Sequence, residues 1–240
     1  MNGHKPVGGQ RQLGVFAKYW EPGKVKTRLA ATLGPRPAAD LYRAFLETLL
    51  TRLGPPAPTR STPTGSPHDF HRVLAYTPGH HRHTFARLAG DSWTLEAQTT
   101  GDLGARMHAY FENAWRAGYQ HVLLIGSDAP TLPAARVTEA FAALQRAAVV
   151  LGPTGDGGYY LVGARQRTPD IFAKIDWGSA NVWNQTLQRL RASATSVVTL
   201  EPWYDVDDQQ GLRRLQKELD ACPADVPLQR LRHRISSIVN

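Results

Sequence analysis

An α/β sandwich, with helices packed on both faces of a mostly parallel sheet, is the fold this sequence predicts. Three observations carry the prediction. Short apolar runs alternate with stripes at helical spacing through the second half of the chain. The length, 240 residues, suits one α/β domain. A composition of 42% hydrophobic and 20% charged residues is that of a globular protein, which excludes collagen, coiled coil and wholesale disorder.

The elements follow in order. Leu13-Gly-Val-Phe-Ala17 reads as a buried strand, ended by the polar stretch Lys18-Tyr-Trp-Glu-Pro-Gly-Lys24. Apolar residues at Ala38, Leu41, Tyr42, Phe45, Leu46 and Leu49 predict a helix, with Pro37 in its first turn. The Pro-rich segment 54–67 cannot support a core and reads as an exposed, mobile insertion. Arg72–Thr77 predicts a strand, and His80-His-Arg-His83 after it reads as a solvated loop, because no carboxylate or thiol partners stand near it. Leu103, Met107, Tyr110, Phe111 and Ala114 mark a helix, His121–Ile125 a strand, and Val137, Ala140, Phe141 and Leu144 another helix. Strands at 148–151, 159–162 and 196–200, a helix over 182–190 and a last helix from about Gln209 complete the alternation. The expected organisation is a flexible terminus over 1–12, one domain over 13–219 and a basic tail over 220–240.

Charge and cysteine usage narrow the partners. Lys and Arg number 28 against 20 Asp and Glu, a net charge of +8 that raises the local concentration of phosphorylated molecules of any kind. The single cysteine, Cys222, excludes an internal disulfide and a cysteine-cluster metal site; a buried structural thiol in a reducing compartment is expected. The first twelve residues hold no apolar leader, and no run approaches the roughly 18 apolar residues of a membrane span. A soluble, cytoplasmic protein without a membrane span is therefore expected.

In such sheets ligands bind beyond the carboxyl ends of the strands, so the residues just after each apolar run are the informative ones. Gly23-Lys-Val-Lys-Thr-Arg28 offers a glycine for close approach and three cations, Lys24, Lys26 and Arg28, of the type that phosphate oxygens need; a solvated basic helix start is the alternative. It is not a P-loop, since position 18 is Lys18 and Val25 follows Lys24. Gly126-Ser-Asp-Ala-Pro130 puts Asp128 at a strand end, where a carboxylate can hold a divalent cation or cap the next helix. In Gly152-Pro-Thr-Gly-Asp-Gly-Gly-Tyr-Tyr160, glycines flank Asp156, which could bind a sugar hydroxyl, act as a base or assist a metal, or simply sit in a tight turn. Asp205-Val-Asp-Asp208 precedes the last helix, where acids suit the helix N-terminus. Gly101-Asp-Leu-Gly-Ala-Arg106 contains Asp102 as a helix cap and more glycine than a cap requires.

Taken as an ordered set, Val15–Leu29, Gly101–Met107, Leu124–Pro130, Leu151–Leu161 and Ile175-Asp-Trp-Gly178 resemble the DUF2064 family, proteins similar to GT-A fold transferases and often labelled arsenosugar biosynthesis glycosyltransferases. More distantly the layout is similar to phospholactate guanylyltransferases and molybdenum-cofactor nucleotidyltransferases. The resemblance implies a single-domain GT-A (nucleotide-diphospho-sugar transferase, Rossmann-like) three-layer α/β/α sandwich. It also implies a nucleotide cradled around Gly23–Arg28, a metal on Asp128, and a second acidic ligand before the last helix, where Asp207, or else Asp205, aligns.

The expected function is a Mg²⁺- or Mn²⁺-dependent glycosyl- or nucleotidyltransferase taking a nucleoside triphosphate or nucleotide-sugar and a small-molecule acceptor. Lys18, Gly23, Lys24, Lys26, Arg28, Gly101, Asp102, Gly104 and Arg106 are expected to bind the nucleotide and its phosphates, and Asp128 with Asp207 the metal. Asp156 is expected to be catalytic, with Gly157, Gly158, Tyr159 and Trp177 holding the acceptor or the sugar. Two rivals are a nucleotide-binding regulatory module without turnover and a nucleic-acid binder. The second is disfavoured because Trp115, Trp177, Trp183 and Trp203 are scattered and no reader motif is present.

Overall fold

The computed structural model describes residues 10–55, 69–166, 168, 170–222 and 224–239. Most of the expected flexible terminus and of the Pro-rich insertion lies outside them. The elements run β1 (Arg11–Lys18), α1 (Thr27–Leu33), α2 (Pro35–Arg52), β2 (His71–Thr77), α3 (Arg82–Ala89), β3 (Thr94–Ala97), α4 (Leu103–Arg116), β4 (His121–Ile125), α5 (Ala134–Ala143), β5 (Val149–Pro153), β6 (Tyr159–Arg165), α6 (Val182–Ala192), β7 (Val197–Thr199), α7 (Gln209–Ala221) and α8 (Val226–Val239). One sheet of seven strands forms in the order β3-β2-β1-β4-β6-β5-β7. Strand β6 runs antiparallel to β4 and β5, and every other pairing is parallel.

Strand alternation divides the core into two layers. On β4, Leu123 and Ile125 join Leu46, Leu49, Phe85, Val137 and Phe141 of α2, α3 and α5. Val122 and Leu124 point the other way, to Met107, Tyr110 and Phe111 of α4 and Leu190 of α6. Both faces are covered, as a parallel sheet requires, and that accounts for the apolar runs visible in the sequence.

Several expectations are corrected by the structure. His80 and His81 form a short 3₁₀ turn leading into α3, and the His81 ring stacks on Tyr19 with centroids 3.5 Å apart, so this stretch is structured. Cys222 is partly exposed at the end of α7. The segment expected to be a basic tail is mostly α8, whose Leu228, Leu231 and Ile235 are buried with Leu41 and Phe45 of α2 and Leu215 and Leu219 of α7. Basic residues between those positions mask an apolar stripe at helical spacing. Leu231, at 1% exposure, is central to this layer, so Leu231→Ala should lower stability by about 2–5 kcal/mol in urea unfolding. A loss within 0.5 kcal/mol, the size usual for surface changes, would mean that α8 does not hold this position.

The sheet positions the site. Strands β1, β4, β5 and β7 share one direction, so their carboxyl ends lie on one edge with the start of β6. The segments 19–26, 126–128, 154–158 and 200–207 are thereby gathered from across the chain.

Candidate functional site

The centre of this edge is Lys26. It precedes α1 in a left-handed conformation, with φ 47°, and its side chain is only 3% exposed. Its Nζ contacts Asp128 Oδ1 and lies 2.6 Å from Asp207 Oδ1. Burial alone would push the Lys26 ammonium down, but the charges of Asp128 and Asp207 outweigh it and hold the lysine protonated. The lysine read as a phosphate ligand thus shares its charge between the two carboxylates expected to hold the metal.

Local structure brings those carboxylates together. Asp128 follows β4, and its carbonyl accepts a hydrogen bond from Val206 N at 2.9 Å, so the 205–208 segment is fastened beside it. Asp208 caps α7, accepting from Gly211 N at 2.8 Å, which leaves Asp207 to face Lys26. Helix α5 is entered through Pro133 without a side-chain cap, so Asp128 is not spent on capping. Asp205 is partly buried beside them, and burial pushes its carboxyl up to about 7, with Asp128, Asp207 and Asp156 adding to the shift and Lys26 opposing it. Among the described residues no group of three or more His, Cys, Asp or Glu side chains is arranged as a metal cage. The site offers two carboxylates converging on one cation.

Several of the other candidate residues line two adjoining cavities. A cavity of about 430 Å³ has Phe16, Leu103, Met107, Tyr159, Val182 and Trp177 among its walls. A polar one of about 350 Å³ includes Thr154, Asp205, Asp208 and Arg214. Arg28, Asp156 and Asp207 line both, so the two meet there. Asp156 is exposed, and its Oδ1 accepts from Thr154 Oγ1 at 2.5 Å and from Gly158 N at 3.2 Å. Gly157 has φ 89°, and a Cβ there would lie 2.2 Å from the carbonyl oxygen of Ala180. Only glycine lets the Asp156 turn press on the segment that carries Trp177.

The expected nucleotide residues are split. Arg28 lines the cavities, whereas Lys18 donates from Nζ to the Lys24 carbonyl at 2.9 Å, and Gly23 and Lys24 lie exposed in the same turn. Asp102 caps α4, accepting from Ala105 N at 2.8 Å, and Gly101 precedes it with φ 114°. Arg106 donates to Gln98 Oε1 at 2.9 Å and to the Asp102 carbonyl at 3.3 Å, which turns it away from both cavities. Gly104 faces Trp177: a Cβ there would sit 2.4 Å from the indole Nε1, so α4 and the Trp177 loop form a single wall. Tyr159 completes that wall, edge-on to Trp177 with centroids 6.2 Å apart.

Sequence reasoning missed Tyr42 and Ser127. The Tyr42 hydroxyl accepts from Lys18 N at 3.0 Å and shares a 2.7 Å hydrogen bond with Ser127 Oγ, tying the first loop to the Asp128 loop. Burial, with the Asp128 charge adding, pushes this phenol up to about 12. In the sequence Tyr42 is one more member of a helical stripe, and only its hydroxyl sets it apart.

Comparison with known proteins bears on the family and the fold. A family model for DUF2064, described as an uncharacterized protein conserved in bacteria, matches residues 64–179. No curated protein matches the chain. Among solved structures, the chain is 33% identical to a candidate nucleotide-diphospho-sugar transferase from Desulfovibrio desulfuricans G20, over 96% of each chain and with a TM-score of 0.81. An inositol-1-phosphate CTP transferase from T. maritima is 12% identical, with a TM-score of 0.53 over 99% of this chain and 100% of that one. A 4-diphosphocytidyl-2C-methyl-D-erythritol synthase from Anaerococcus prevotii is 9% identical, with a TM-score of 0.54 over 88% and 99%. The last two share the fold, an α/β architecture of the nucleotide-diphospho-sugar transferase type.

Proposed function

Because the chain belongs to the DUF2064 family, we propose that it is a divalent-cation-dependent transferase that moves a nucleotidyl group from a nucleoside triphosphate to a small-molecule acceptor. One observation carries the reading: Asp128 and Asp207, from separate strand ends, converge on one cationic atom, and Asp207 also lines both cavities. The donor set suits Mg²⁺ or Mn²⁺, because two carboxylates leave positions for donor phosphate oxygens and water. Asp128 and Asp207 would hold the cation, which supplies charge neutralisation at the phosphates. The Lys26 ammonium stands in for that charge in this structure.

The chain's own residues take the other roles. Arg28 and Arg214, on the polar cavity, bind and orient the phosphate chain. The acceptor oxygen attacks the α-phosphorus, forming the new P–O bond, and the bond to the bridging oxygen breaks with its electron pair leaving on pyrophosphate. Asp156 takes the proton of the acceptor hydroxyl; its described hydrogen bonds fall on Oδ1, which leaves Oδ2 for that task. The name carried by the 33%-identical relative favours a second reading, glycosyl transfer from a nucleotide-sugar, in which Asp156 faces the sugar.

Product analysis separates the two. Incubation with each nucleoside triphosphate, Mg²⁺ and an acceptor panel should release pyrophosphate. Release of a nucleoside diphosphate from a nucleotide-sugar would establish the glycosyl reading. Nucleotide-induced thermal stabilisation with no product of either kind across the panels would favour a regulatory module.

A further inference from the structure

The larger cavity differs in chemistry from its neighbour. Its walls are Phe16 of β1, Leu103 and Met107 of α4, Tyr159 of β6, Val182 of α6 and Trp177 between them. Among the described residues its charged lining is confined to Arg28, Asp156 and Asp207, the same three side chains that face the polar cavity. The charge is therefore concentrated at the junction, one cation against two carboxylates, and the rest of the lining combines aromatic and aliphatic side chains with Ser179 and the backbone of Gly126, Gly158 and Gly178. A phosphate or carboxylate placed among those walls would lose its hydration and gain no cation, at a cost of several kcal/mol. An uncharged ring meets apolar surface, the Trp177 indole and the edge-on Tyr159.

Of the two arginines given to the phosphate chain above, Arg28 stands at the junction and Arg214 lines the polar cavity alone. A donor whose phosphate chain lies on Arg28 and Arg214 thus occupies the polar side and leaves the apolar space for the second substrate. Building on the transferase reading above, we propose that the acceptor is an uncharged molecule with a flat, apolar ring body and one nucleophilic hydroxyl. The ring occupies the space between Trp177, Leu103 and Met107, and the hydroxyl points to the junction of Arg28, Asp156 and Asp207. At about 430 Å³ the cavity is large enough for a compact ring system. The acceptor class follows from its walls: a sugar phosphate has no second cation here to bind.

Calorimetric titration of the full chain with 2-naphthol, myo-inositol 1-phosphate and free nucleosides tests this without donor or cation. Leu103→Glu serves as the first variant, because a carboxylate at the start of α4 suits the helix N-terminus while charging the cavity wall. Trp177→Ala is the second. The expected result is that 2-naphthol binds the wild type in preference to myo-inositol 1-phosphate and binds each variant about tenfold more weakly or worse, with the far-ultraviolet dichroism of both variants unchanged. Preference for the sugar phosphate, equal 2-naphthol affinity in all three proteins, or displacement of 2-naphthol by a nucleoside would each overturn the proposal; the last would place the donor base in this space. The assay involves no turnover, so failure of the transferase reading would show in product analysis and leave this binding result as measured.

Discussion

Asp128→Asn should abolish turnover while leaving the fold in place. The substitution keeps the shape of the side chain and removes its charge. Its backbone carbonyl, which fastens Val206, is untouched. The Asp128 side chain is 37% exposed, so its ion pair with Lys26 is screened and its loss should cost no more than about 1 kcal/mol of stability. Lys26 also keeps its partner Asp207, 2.6 Å away. Catalysis is affected far more, because a cation held at the transferring phosphate contributes several kcal/mol, and each 1.36 kcal/mol is a factor of ten in rate. A loss of about a thousandfold or more is expected in an assay of donor consumption, with unchanged far-ultraviolet dichroism and a melting temperature within a few degrees of wild type. Activity within tenfold of wild type would remove Asp128 from the cation site and with it the central element of the proposed function.

The fold was largely legible because strands buried on both faces must be apolar throughout. His121–Ile125 and Val149–Leu151 announce themselves for that reason. Edge strand β3, Thr94–Ala97, has only four residues, none of them fully buried, and leaves no periodic trace. Helix α8 was obscured by composition: Arg230, Arg232, His233 and Arg234 dominate its sequence, and the buried set of Leu228, Leu231 and Ile235 emerges only once α2 and α7 present a surface for it.

The site was legible by address and less so by role. Residues just past strand ends converge as the parallel topology demands, which is why Arg28, Asp128, Asp156 and Asp207 come together. Their division of labour depends on hydrogen bonds that spacing does not encode. Asp208 takes the capping duty and leaves Asp207 inward, and Arg106 spends its guanidinium on Gln98. Lys26 was the least readable of all. Three cations lie within Lys24–Arg28, and nothing in their identity tells which one the left-handed turn before α1 will bury.

That burial makes Lys26→Met the most informative second test. The methionine retains an unbranched apolar stem for the space beside Tyr42 and Phe45, whose ring centroids lie 5.9 and 6.0 Å from Lys26 Nζ, and deletes only the ammonium. Two carboxylates then face each other without a cation. Removing one member of a fully buried pair costs about 3–5 kcal/mol, but Asp128 and Asp207 are 37% and 41% exposed and water screens them, so about 2 kcal/mol is expected. For a chain of this length that is a drop of roughly 4–8 °C in melting temperature in the presence of a chelator. Millimolar Mg²⁺ or Mn²⁺ should recover at least half of it, because the divalent ion no longer competes with a tethered ammonium, whereas the wild type should respond weakly. Adding Asp207→Asn to Lys26→Met should restore stability without metal and abolish the metal response, a non-additive pattern expected only if the three groups form one unit. If Lys26→Met melts with the wild type and gains nothing from Mg²⁺, the carboxylate pair is not a cation site, and Lys26 would be a structural ion pair behind chemistry located elsewhere on the edge.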